Sequence, residues 1–214
     1  MEKSIVSDEI TDLTVRLVNA PDVALIQQYL DRSTSPIVIP PLTIPSQGPR
    51  APWLRASIQE LRIDGWKGSA TNLTAYKAGL FLINDFFTES HECSQSIEGQ
   101  GVHQTGDYWH AILHRREPDY SNAKYWFRHV GRHPAFELIT QRTQRRFQGL
   151  TQPLRAKLER WQSRLIGPGG WDPMTFVDVC AAAETDPQIH GWCELVQWDE
   201  MLSLLEVTIS ELST

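Results

Sequence analysis

The chain has 214 residues, 41% hydrophobic and 21% charged, with a formal net charge of −6. That length can bury one sizeable core, and the acidic balance argues against nucleic acid as the main partner. No run of about eighteen apolar residues is present to span a membrane, and the start of the chain lacks the apolar core of a secretory leader, so a cytoplasmic protein is expected.

Residues 1–20 are weakly patterned, with a tip expected to be partly disordered. Pro21 to Arg32 reads as a first helix, with Val23, Ala24, Ile26 and Leu30 at helical spacing. Ser33 to Trp53 carries six prolines and reads as an extended arm that packs over the rest. Residues 1–52 are therefore taken as an N-terminal helix and Pro-rich arm, and 53–214 as a helical metal-binding unit, within one domain overall. A short helix follows from Ala56 to Arg62. Asn72 to about Ser96 is the strongest helical pattern, with Leu73, Tyr76, Leu80, Ile83 and Phe87 on a wide apolar surface. Asp85 and Glu89 fall on one face of it, either as solvated surface or as partners of a metal-bound histidine.

Further on, Ser121 is expected to cap a helix that Gly131 closes. Ala135–Gln148 follows, with Arg142, Arg145 and Arg146 as a solvated face. Gln152–Leu165 is amphipathic and is broken by Gly167-Pro168-Gly169-Gly170. Pro173–Ala183 and Pro187 to about Ile209 complete the chain. No period-2 strand series and no phosphate-binding glycine loop appear, so the expected fold is mainly α, a helical bundle core with additional helices. Cys93, Cys180 and Cys193 are odd in number and lack C-x-x-C spacing, which suggests neither a disulfide framework nor a cysteine-rich zinc site.

The stretch His103–Pro134 holds five of the seven histidines. His110 and His114 are four residues apart, which on a helix puts both imidazoles on one face. Glu117 continues that face. Thr105 is the expected N-cap, Asp107 suits the first turn, and Pro118 ends the helix. An isolated H-x-x-x-H pair usually holds nothing. His91, just upstream on a preceding helix, supplies a third imidazole if the two helices run antiparallel. Three histidines with an open fourth position make the ligand set of a catalytic zinc site. His129 reads as a complement to a helix C-terminus, and His133 as a loop residue.

The segments Ser90-His91-Glu92, Tyr108-Trp109-His110-Ala111-Ile112-Leu113-His114-Arg115-Arg116-Glu117-Pro118-Asp119 and Asn122-Ala123-Lys124-Tyr125-Trp126-Phe127-Arg128 resemble a widespread bacterial and fungal family. Within it, the chain is similar to the small fungal cyclopenases (viridicatin synthases) of quinolone alkaloid pathways. The motif resemblance covers roughly residues 70–135. It implies a hemocyanin-like helical core keeping a single Zn2+ on His91, His110 and His114. It also implies a lyase that contracts cyclopenin, a benzodiazepinedione, to viridicatin with loss of methyl isocyanate.

For that chemistry Glu117 is the first acid/base candidate and Asp119 the second, with Arg116, Arg115 or Lys124 to steady negative charge. The Arg-Arg-Glu-Pro-Asp run reads equally as a salt-bridged helix end. Trp109, Tyr125 and Trp126 are candidates to stack on a small aromatic substrate, or plain core residues. Three other readings stand beside the lyase. One is a zinc-dependent hydrolase of a small amide or ester, another a non-catalytic binder of haem or an anionic metabolite, and the last an interaction protein whose motif is structural. Nothing in the composition opposes a homo-oligomer.

Overall fold

The computed structural model describes residues 9–31, 39–62 and 67–213. Expectations for the chain's first eight residues and for the first part of the proline-rich stretch lie outside them. The described residues form eleven helices and one small hairpin. In chain order these are α1 Glu9–Asn19, α2 Val23–Asp31, α3 Leu54–Gln59, α4 Ala70–Ile83, α5 Phe87–Ser96, α6 Thr105–Arg116, α7 Tyr120–Val130, α8 Ala135–Gln148, α9 Gln152–Leu165, β1 Ile166–Gly167, β2 Gly170–Trp171, α10 Pro173–Ala183 and α11 Pro187–Leu212. The fold is mainly α, as the absence of alternating patterns implied. No helix among the described residues is long and apolar enough to cross a membrane.

The long α11 is the axis of the packing. From Val196 to Leu205 every residue is buried, so this helix meets neighbours all round. It lies against α2, α4, α8 and α10. Four of the buried residues between Val196 and Leu205 are polar, and each is matched from another helix. Gln197 accepts from Arg115 at 3.3 Å. Glu200 accepts from Tyr108 at 3.0 Å and pairs with Arg115 at 2.5 Å. Asp199 takes both arms of Arg146, at 2.7 and 2.8 Å. Ser203 accepts from Arg142, which also reaches Glu206 at 2.8 Å. The expected solvated arginine face of α8 is therefore corrected at two of its three positions. A buried charge persists only when paired, and α11 carries the partners.

Three further expectations change. Residues 9–19 are a helix after all: Ile10, Leu13 and Leu17 recur at helical spacing and are all buried. The single helix expected over 72–96 is two, because the chain breaks at Asn84–Phe86, where Asp85 adopts φ +65°. Left-handed backbone is tolerated by Asp better than by most residues, and here the side chain is anchored. Asp85 accepts from Arg116 at 2.6 Å and from Arg50 at 3.3 Å. Asp85 and Glu89 thus share no face. Glu89 pairs with Arg55 at 2.5 Å, so neither is spent on a metal-site histidine.

Thr105 does not cap α6 either. Gln104 is the N-cap, at φ +52° and without a side-chain bond. Thr105 instead donates its hydroxyl to Glu211 of α11 at 3.0 Å and stands 3.2 Å from His133 Nε2. His133 Nδ1 accepts from the Ala135 amide at 3.1 Å, so its proton is on Nε2 and faces Thr105. His133 is thus a buried structural link at the start of α8. Asp107 accepts from Gly99 at 3.1 Å and holds the α5–α6 connection down. That short connection turns α5 back along α6.

Residues 39–53 contain neither helix nor strand. Leu42 and Ala51 are buried. The Ile44 amide donates to the Arg116 carbonyl at 3.0 Å, which ties this stretch to the C-terminal end of α6.

Candidate metal centre

Helix α5 brings His91 against the face of α6 that carries His110 and His114. One ligand atom from each ring lies within 4.8 Å of the others. Ring centroids are 4.6 Å apart for His91 and His110, 5.6 Å for His91 and His114, and 4.7 Å for His110 and His114. Among the described residues this is the only group of three or more potential ligands so placed. His110 and His114 are buried and His91 half-buried, so the cluster opens to one side.

The third helix of the site is α7. Its Asn122, Tyr125, Trp126 and His129 sit at i, i+3, i+4 and i+7, on one face. Trp126 stacks on His110 with centroids 4.0 Å apart. Tyr125 meets the edge of Trp126 at 5.5 Å and lies 4.4 Å from His129. Helix α7 starts at Asp119, whose carboxylate accepts from the Asn122 amide at 3.2 Å. Asp119, and not Ser121, is therefore the cap. Gly131 ends the helix at φ +61°, as expected.

The surroundings keep His110 uncharged. Burial first, then the neighbouring His114 and His91, push the His110 pKa down to about 3, so its ring stays neutral with a lone pair available. Both its nitrogens are buried, and neither has a hydrogen-bond partner. An unpartnered buried nitrogen costs about 1–3 kcal/mol, and an ion bound there removes that cost. Burial likewise lowers the His114 pKa, opposed by Glu117. Three imidazoles, one of them without a hydrogen-bond partner, fit a divalent metal ion.

No family model matches this chain, and neither a curated protein nor a solved structure does.

The expected site residues fall into two groups. Brought together are His91, His110, His114, Glu117 and Tyr125. Glu117 follows α6, its side chain 33% exposed, and its Oε2 accepts from His114 Nδ1 at 2.9 Å. Tyr125 is 48% exposed at the rim. Asp119 is close but occupied as a helix cap, and its backbone bond to Asn122 holds its pKa low.

Placed elsewhere are Arg116, Trp109 and Lys124. Arg116 is fully buried, with Nη1 on the Leu82 carbonyl at 2.7 Å and Nη2 on Asp85. It fastens the α4–α5 break to α6 and presents no donor to a guest. Trp109 is fully buried against Gly79 of α4, on the side of α6 away from the imidazoles. Lys124 pairs with Asp178 of α10.

Sequence reasoning gave no role to Asn122, whose Nδ2 stands 3.2 Å from His114 Nε2. Eight residues separate the two across a helix end, and the packing of α7 on α6 brings them together.

Proposed function

We propose that His91, His110 and His114 hold one zinc ion and that the chain is a zinc-dependent lyase of the cyclopenase type. Its substrate would be a benzodiazepinedione of the cyclopenin kind, contracted to a viridicatin-type quinolone with loss of methyl isocyanate. The observation that carries the metal reading is the convergence of three ligand atoms within 4.8 Å. The substrate class rests on the motif resemblance.

A bound zinc supplies Lewis acidity towards a carbonyl or epoxide oxygen. The chain's own residues supply the rest. Burial keeps His110 neutral, and Trp126 stacks on its ring. Glu117 Oε2 accepts a hydrogen bond from His114 Nδ1, and its partial exposure leaves the carboxylate within reach of a guest proton. Tyr125, exposed beside the buried Trp126, offers aromatic surface at the rim. No arginine is needed at the site, since Arg115 and Arg116 are committed to Glu200 and Asp85.

The test is product analysis with zinc-loaded protein and cyclopenin. Viridicatin together with methylamine, from hydrolysis of released isocyanate, is the expected result. Glu117 beside an open ligand position also favours a second reading, hydrolysis of a small amide or ester. In 18O-labelled water that reaction places solvent oxygen in an acid product, and elimination does not.

A further inference from the structure

A cavity of about 440 Å3 lies where the starts of α4 and α6 meet the end of α11, and it shares no lining residue with the imidazole cluster. Its walls are pinned together. The Gly68 amide donates to the Leu212 carbonyl at 2.9 Å, and Asn72 Nδ2 donates to the Glu211 carbonyl at 3.1 Å. A Cβ at Gly68 would stand 2.7 Å from Leu212 Cα, so this approach requires glycine. Thr105 fastens the third wall, its hydroxyl 3.0 Å from each carboxylate oxygen of Glu211. Behind it stands His133, whose Nε2 proton points at Thr105 Oγ1 across 3.2 Å. The hydroxyl therefore receives from the imidazole and gives its own proton to Glu211. Thr105 and His133 are both buried, so the carboxylate is oriented from inside the fold.

Burial raises the Glu211 pKa, against Thr105 and His103, which lower it. A carboxylate so placed is stabilised by a cation set against it. Charge of the opposite sign borders the same space: Lys67 is exposed along the lining, and His103 lines it too. The starts of α4 and α6 add their positive ends, and α11 adds its negative end beside Glu211. A lone cation meets Lys67 and a lone anion meets Glu211, whereas a molecule carrying both charges suits the whole lining. We infer that this cavity binds a small zwitterion, an α-amino acid, with its ammonium on Glu211 and its carboxylate towards Lys67. Ala75 and Val102 leave an apolar margin for its side chain. The volume falls within the range of small-molecule sites. No metal is needed here, so the inference stands or falls apart from the zinc reading.

Isothermal titration calorimetry of the full chain with each of the common L-amino acids tests this. Propionate and ethylamine, the separated acid and amine of alanine, are the controls. A chelator is present throughout, since amino acids also bind zinc. Saturable binding of at least one amino acid, with both controls at least about tenfold weaker, is the expected result.

E211Q keeps the size of the side chain and an acceptor for Thr105 but removes the charge. It should weaken that binding about ten- to a hundredfold, the order of a hydrogen bond to a charged group. K67M, at an exposed position where folding is not at stake, should weaken it about two- to fivefold, the order of an exposed charge pair. Circular dichroism checks that each variant is folded, and K67M decides the matter if E211Q is not. His110→Ala, whose imidazole cluster is broken, should bind the amino acid as the parent does. The inference is overturned by a parent that binds no amino acid, by unchanged binding in a folded E211Q or in K67M, by a control that binds as well as the amino acid, or by loss of binding in His110→Ala.

Discussion

Substituting Asp85 by Asn probes the contact that turns α4 into α5 and so sets His91 opposite α6. The Asp85 and Arg116 side chains are 2% and 0% exposed, and their contact is 2.6 Å. Asn keeps the size of Asp and its tolerance of left-handed backbone, so the change removes little besides the charge. The guanidinium then stays buried beside the Leu82 carbonyl and Phe87, over whose ring it lies 4.8 Å from the centroid. Breaking a buried pair from one side costs about 3–5 kcal/mol. For a chain of this length that lowers Tm by about 6–20 °C, taking about 2–4 °C per kcal/mol.

The double variant D85N/R116M tests the cause. Methionine fills much of the arginine's space without its charge. The Leu82 carbonyl keeps the Asp85 amide as a donor at 3.2 Å, so no acceptor is orphaned. The double variant should recover at least about 2 kcal/mol relative to D85N. Urea titrations followed by circular dichroism measure both. A D85N chain within about 0.5 kcal/mol of the parent, or additive costs in the double variant, would refute the reasoning.

Gly79→Ala places a methyl 2.6 Å from the Trp109 ring and 3.1 Å from Leu205, and the indole is fully enclosed. Overpacking of about 1–3 kcal/mol outweighs the roughly 1 kcal/mol that alanine gains in a helix, so a net loss is expected by urea titration, with weaker zinc binding as α6 shifts. His133 is pushed down to about 3, first by burial and then by His103. Its folded-state pKa lies below the unfolded value of about 6.5, so stability is undiminished above that pH and falls as the unfolded chain takes up the proton between roughly 6.5 and 3. In His133→Asn the slope of stability against pH over that window should be shallower by up to about 1.4 kcal/mol per pH unit. Zinc at a hundredfold excess over its Kd should stabilise the protein by about 2.7 kcal/mol, raising Tm by roughly 5–11 °C, and a chelator should reverse this in a thermal melt.

Local rules carried much of the reading and long-range pairing carried the rest. The i,i+4 spacing of His110 and His114 is a property of one helix, and a short connection is enough to return His91 to it. The bounds of α8 and α9 were legible because Pro134, Gly149, Pro153 and Gly167 punctuate them within a few residues. The break at Asp85 was not, since the arginine that stabilises it lies 31 residues further on. Arg142 and Arg146 looked like surface because their partners on α11 are more than fifty residues away. Trp109 and Trp126 read alike as aromatic neighbours of histidines. Only the packing of α4 and α7 separates the core residue from the one that stacks on His110.

Metal content per folded chain is the most direct measure of the central claim. Elemental analysis of purified parent, His110→Ala and His114→Ala, with circular dichroism on the same samples, is the decisive comparison. About one zinc per parent chain, absent from both variants while their helical spectra persist, is the predicted result. A parent without zinc, or variants that keep it, would contradict the account.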